Sequence, residues 1–288
     1  MQTSSRATPA PSFELLAGAA RSPVILHVPH SAREIPPDVR QGVLLDDAAL
    51  EAELDHITDA HTADIAERAA GLCRAAPWRF HNRLSRLVVD PERFPDEREE
   101  MLAVGMGAVY TRTTHRAPLR PAGTDPGALI ERYFRPYARA MTEAVRDRLA
   151  ATGRAVVIDV HSYPSAPLPY ELHGAGPRPP VCLGTDAFHT PPMLARLARE
   201  AFRTCGQTGL DSPFSGAYVP LEFHGREPRV SALMVEIRRD LYMTEPGGAP
   251  GPGALALARA LAALVDGADG IDRADGIDGT DGIDGTDG

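Results

Sequence analysis

The run Ala155-Val156-Val157-Ile158-Asp159-Val160, with His161 directly after it, decides how this chain is read. Five apolar residues broken by one aspartate have no helical period, and β-branched side chains dominate. Such a continuous apolar run is the pattern of a parallel strand buried on both faces. A helical pattern precedes it over 127–151. Further short β-rich runs stand at Val24–Val28, 87–89, 181–183 and 231–237, and helical patterns at 46–71, 191–205 and 252–265. Strands alternating with helices predict an α/β fold, a sandwich of helices around a mostly parallel sheet. With no internal repeat and no linker, residues 13–265 are expected to form a single domain. Residues 1–12 read as a flexible arm and residues 266–288 as a disordered acidic Asp/Gly tail.

The chain has 288 residues, of which 43% are hydrophobic and 24% charged, the balance of a globular protein able to bury a full core. No stretch reaches the roughly 20 apolar residues of a membrane span, and the first residues lack a basic-then-apolar secretory pattern. The three cysteines, Cys73, Cys182 and Cys205, are odd in number and far apart, so reduced thiols and a cytoplasmic location are expected. The formal charge is −9, but eight aspartates and one arginine from Asp266 onward supply −7 of it. The body is nearly neutral, which argues against nucleic acid as a partner. The sequence contains no lysine, which excludes Schiff-base and lysine-nucleophile chemistry. GxSxG, P-loop, GxGxxG and HExxH patterns are also absent.

In open α/β sheets, ligands gather beyond the carboxyl ends of the strands. Two histidines stand at such ends: His30 after the first strand and His161 after the central run. Either alone reads as a hydrogen-bonded histidine. The pair points to a catalytic metal, which takes three N/O donors and leaves a position open. The third donor is sought in the helical pattern over 46–71, where Asp55 and Asp59 share a face. Asp55 is favoured as ligand, with Asp59 as a supporting partner to a histidine or the ligand itself. Glu236, inside the apolar run Ala232–Ile237, is a carboxylate that burial penalises unless paired or functional. It is the candidate general base, against the alternative of an ion pair with Arg238 or Arg239. Arg86, Arg93 and Arg238 are candidates for gripping a substrate carboxylate.

Taken together, six stretches give the chain a resemblance to the N-formylglutamate amidohydrolase family. They are HVPHSAREIP (27–36), DHITD (55–59), SRLVVDPERFPDE (85–97), IDVHSYP (158–164), SPFSGAYV (212–219) and ALMVEIRRDLYMTE (232–245), in the family's order. The resemblance implies a three-layer α/β/α sandwich of the zinc-exopeptidase kind, with a mixed, mostly parallel sheet. It implies one catalytic Zn2+, or another divalent ion, held by His30, His161 and Asp55. Glu236 would be the base, and one or more of Arg86, Arg93 and Arg238 would hold the substrate. The implied reaction is hydrolysis of N-formyl-L-glutamate to formate and L-glutamate, a step of histidine degradation. The alternatives are hydrolysis of another N-acyl amino acid or short peptide, or a non-catalytic metal-binding or scaffold protein. Departures from the family pattern fall at Ala217, at Pro91-Glu92 and in the loop 220–225, all bordering the expected substrate pocket.

Overall fold

The computed structural model describes residues 12–173 and 176–271. Seven strands form one mixed sheet in the order β1-β3-β2-β4-β7-β5-β6. They are β1 (Phe13–Leu16), β2 (Val24–Val28), β3 (Trp78–Asn82), β4 (Ala155–Tyr163), β5 (Val181–Gly184), β6 (Thr208–Leu210) and β7 (Val230–Arg238). The middle strands β3, β2, β4 and β7 run parallel, while β1 and β5 pair antiparallel to their inner neighbours. All nine residues of β4 are buried, as the apolar run 155–160 predicts for a central strand.

The helices are α1 (Pro37–Arg40), α2 (Asp47–Ile57), α3 (Thr62–Leu72), α4 (Gly127–Leu129), α5 (Arg135–Thr152), α6 (Pro192–Ala201) and α7 (Gly253–Asp269). A π-helical turn, Ile130–Phe134, joins α4 to α5. Strand pleating sends alternate residues to opposite faces. Val24, Leu26 and Val28 therefore pack with Ile65 and Ala69 of α3, Leu194 of α6 and Leu257 and Leu261 of α7. Ile25, Val157 and Ala232 pack on the other face against Tyr137, Met141 and Val145 of α5. Helices thus cover both faces, which makes the three-layer α/β/α arrangement.

Several expected boundaries shift. The single helix over 46–71 is two helices, separated by Thr58–His61. The apolar triplet 87–89 is not a strand but a buried turn, its side chains divided between two small apolar clusters. Strands β1, β3 and β6 carry too little apolar alternation to be expected. Helix α7 runs to Asp269, four residues into the stretch read as tail, where Arg154 donates to the carbonyls of Ala268 and Asp269. The remaining tail, 272–288, and the arm up to residue 11 lie outside the described residues. The three cysteines are unpaired, and no described helix is long and apolar enough to cross a membrane.

Candidate metal centre

On the face turned towards α5, the parallel strands change character along their length. β4 presents Ala155 and Val157, then Asp159 and His161; β7 presents Val230, Ala232 and Met234, then Glu236; β2 presents Ile25, then His27. The early positions join the apolar core with α5. The late ones build a buried polar patch at the carboxyl ends, where His161 and Glu236 lie opposite each other in the β4–β7 register.

Two loops complete the patch. His30 follows β2 by two residues, and its carbonyl accepts the backbone N–H of Asp59 at 3.0 Å. Asp59 sits in the break between α2 and α3, where Thr62 donates its hydroxyl to the Asp59 carbonyl at 2.7 Å. His61 closes the break with φ 64°, a left-handed conformation that costs energy for a residue with a Cβ.

Three donor atoms meet there. His30 Nδ1 and His161 Nδ1 are 3.2 Å apart, Asp59 Oδ2 is 3.1 Å from His161 Nδ1, and it is 3.7 Å from His30 Nδ1. Each donor is held from behind. His30 Nε2 donates to Asp90 Oδ1 at 2.9 Å, and Asp90 Oδ2 takes Arg86 Nη2 at 2.7 Å together with the Tyr110 hydroxyl. Arg239 donates to Asp59 Oδ1 at 3.1 Å, to Ser162 Oγ at 3.1 Å and to the His56 carbonyl at 2.6 Å. His161 Nε2 lies between two carboxylates, 3.1 Å from Glu92 Oε2 and 3.2 Å from Asp159 Oδ2, without hydrogen-bond alignment to either.

Burial by itself would lower the pKa of both imidazoles, yet the surrounding carboxylates raise them, Asp90 and Asp59 at His30, Glu92 and Asp159 at His161. Burial would raise Asp59 and Asp90, but the imidazoles and, at Asp90, the Arg86 guanidinium hold both below the usual carboxylate range. Glu92 is raised by burial and by the neighbouring Asp159. Burial, with the charge of Asp59, pushes Glu236 up to about 7. Its Oε2 is buried and has no hydrogen-bond partner.

This donor set fits a divalent metal such as zinc. Oxygen and nitrogen ligands about 2.0–2.2 Å from a four-coordinate ion lie roughly 3.2–3.6 Å from one another, close to the three observed separations. The carboxyls of Asp59, Asp90, Glu92 and Glu236 line one cavity with the guanidiniums of Arg86, Arg93 and Arg239. Two other groups of potential donors occur among the described residues: His27, Glu92 and Asp159, and His30, Asp90 and Glu92. In the second, both oxygens of Asp90 are engaged, Oδ1 by His30 Nε2 and Oδ2 by Arg86 and the Tyr110 hydroxyl. In the first, both ring nitrogens of His27 are engaged, by Asp159 and Tyr137.

A cavity of about 170 Å³ opens on the cluster, lined by His30, Asp59, His161, Glu236, Arg86, Arg93 and Arg239. It adjoins an outer chamber of about 590 Å³, and Glu92, Arg93, Ser215 and Met234 border both. Of the residues singled out from sequence, His30, His161, Glu236, Arg86 and Arg93 therefore come together. Asp55 does not. Its carboxylate is half-exposed and bonded to Arg33 at 2.7 Å, and Asp59, the alternative, stands beside the imidazoles. Arg238 is also elsewhere, donating to Asp240 at 2.7 Å and to the Arg178 carbonyl. Its neighbour Arg239 turns in, because the chain leaves β7 after residue 238 and enters a 3-10 turn over Arg239–Leu241. Sequence reasoning missed Asp90, Glu92, Asp159 and Arg239. Asp159 carried a signal as the one charge in an apolar run, Glu92 stood out only as a departure beside the expected pocket, and Arg239 only as a possible ion-pair partner of Glu236.

Among solved structures, an N-formylglutamate amidohydrolase from Ralstonia eutropha JMP134 matches with a TM-score of 0.75 at 23% identity, over 89% of this chain and 96% of that one. A gene product of Agrobacterium tumefaciens matches with a TM-score of 0.67 at 19% identity, over 90% of this chain and 95% of that one. Both show the same fold. No curated protein sequence matches the chain. The family model for N-formylglutamate amidohydrolase matches residues 22–243, from the start of β2 to beyond Arg239 and so across every residue of the cluster. On that match, this chain belongs to the N-formylglutamate amidohydrolase family, hydrolases of an amide bond.

Proposed function

We propose that the chain is a cytoplasmic, zinc-dependent amidohydrolase that cleaves N-formyl-L-glutamate to formate and L-glutamate in histidine degradation. The observation that carries this is the convergence of His30 Nδ1, His161 Nδ1 and Asp59 Oδ2 in one cavity with an unpartnered Glu236 carboxyl. These three residues would hold the ion, which when bound supplies Lewis acidity towards the amide carbonyl and the attacking water.

Every other role falls to the chain's own groups. Glu236 takes a proton from the water that attacks the formyl carbon, and returns it to the amide nitrogen as the C–N bond breaks. Burial, which raises its pKa to about 7, makes it a stronger base than an exposed carboxylate while leaving about half of it ionised at neutral pH. Arg93 is the candidate clamp for a substrate carboxylate. Its Nε is buried without a hydrogen-bond partner and its ion pairs with Asp90 and Glu99 are long, 3.6 and 3.7 Å, whereas Arg86 and Arg239 are hydrogen-bonded to Asp90 and Asp59. The inner cavity, about 170 Å³, lies below the roughly 300–1,000 Å³ of drug-sized pockets and suits a compact amino-acid derivative. The adjoining chamber of about 590 Å³ supports a second reading, a longer N-acyl amino acid or a short peptide.

The test is metal analysis of the purified protein with formate release from N-formyl-L-glutamate, compared with N-formyl-aspartate, N-acetyl-glutamate and dipeptides. A bound divalent ion and a clear preference for formylglutamate are expected. A better substrate among the acetylated or peptide compounds would replace the narrow reading by the second.

A further inference from the structure

His27 lies in the strand Val24-Ile25-Leu26-His27-Val28, every residue of which is buried. It is fully enclosed and packs against Phe80, Tyr137 and Tyr218 at ring centroid distances of 6.0, 5.8 and 4.7 Å. A polar side chain in that setting is costly unless its bonds are made, and both are made. His27 Nδ1 lies 2.7 Å from Asp159 Oδ1, and His27 Nε2 lies 2.5 Å from the Tyr137 hydroxyl. An ionised carboxylate only accepts, so Nδ1 carries the ring proton, and in the neutral ring Nε2 then accepts from Tyr137. Asp159 Oδ2, on the opposite side of the same carboxylate, is 3.2 Å from His161 Nε2, an ion-pair contact shared with Glu92 Oε2 at 3.1 Å. The four groups form a file from α5, through β2 and β4, to the donor cluster.

We infer that His27 and Tyr137 are positioning residues for metal binding: they fix the Asp159 carboxylate, whose charge beside the Nε2 edge of His161 orients that imidazole with Nδ1 towards His30 and Asp59. The inference rests on the metal reading above. The carboxylate behind a metal-bound imidazole sets its tautomer and basicity, and loss of such support typically weakens metal binding 10–100-fold. Here the carboxylate is itself buried. Removing His27 leaves it one donor short and free to turn.

The experiment measures the Zn2+ dissociation constant of the full-length metal-free protein by chelator competition. The variants are His27→Phe, which keeps an aromatic ring in the packing, His27→Gln, whose amide can still donate to Asp159, and Tyr137→Phe, which deletes one hydroxyl. Expected are a 10–100-fold weaker constant for His27→Phe, substantial recovery in His27→Gln and a smaller loss for Tyr137→Phe. With saturating zinc, the substrate KM of all three should stay within about twofold of the parent's. Thermal unfolding of each metal-free variant shows whether it folds, and Tyr137→Phe serves where His27→Phe does not. Unchanged zinc binding in a folded His27→Phe overturns the inference, as does equal loss in His27→Gln. His161→Ala, measured alongside, separates the two failures. If it binds zinc as the parent does, the metal reading falls; if it does not, while His27→Phe does, only the positioning role falls.

Discussion

On one continuous helix, residues 55 and 59 would share a face, but the helix ends at Ile57 and only Asp55 remains on it. Asp55 therefore points to Arg33 at the surface, while Asp59, two residues beyond the last turn, is nearly fully buried beside both imidazoles. Asp59→Asn is expected to strip most of the bound divalent ion and the turnover. Asp55→Asn, which breaks only a half-exposed ion pair worth about 1 kcal/mol or less, should leave metal content and rate near the parent values. Metal analysis and kcat on the two proteins decide between them. The histidines and Glu236 were legible because strand ends and an apolar run mark them. The choice between the aspartates was not, since four residues without glycine or proline gave no sign of a break.

Glu236 carries the pH dependence. A general base works ionised, so kcat/KM should climb as pH rises through its pKa and then level off. The raised value of about 7 places that limb near neutrality, and a bound cation, which favours the ionised form, would draw it lower. With saturating metal, Glu236→Gln should lose about 10²–10⁴-fold in kcat and lose the limb itself. A limb that persists in that variant would assign the titration to another group.

Among the elements, α7 shows where local propensity gives way to packing. Replacing a helical glycine by alanine normally stabilises by about 1 kcal/mol. Gly253, the first residue of α7, is an exception, because a Cβ there would sit 1.9 Å from the Leu241 carbonyl oxygen. The contact is with backbone, which cannot rotate away, so the clash outweighs the propensity. Gly253→Ala should destabilise by about 1–3 kcal/mol in a denaturant titration. The central strands and long helices were readable because burial on both faces, or on one stripe, leaves a period in the sequence. Edge strands bury less and leave little: β1 is half-exposed, with the pattern of a loop. The triplet 87–89 failed in the opposite sense, since a turn buried between two apolar clusters looks like a strand.

For the whole molecule, the boundary between body and tail lies later than composition suggests. Asp266 accepts from the Arg74 backbone at 2.9 Å, and Ala268, in the last turn of α7, is fully buried. Truncation after Ile271 should therefore leave kcat/KM and the melting temperature unchanged. Truncation after Val265 should cost on the order of 1–3 kcal/mol in a denaturant titration, through lost helix bonds and apolar burial. Lost turnover in the shorter truncation would instead favour the reading in which the acidic tail is the working part. The bond from the Asp59 N–H to the His30 carbonyl has a consequence of its own. It yokes two buried loop segments, one after β2 and one between α2 and α3, beside the sheet that bears His161. A shift of either segment would carry the other with it, so the His30 and Asp59 donor atoms would leave His161 together rather than one at a time.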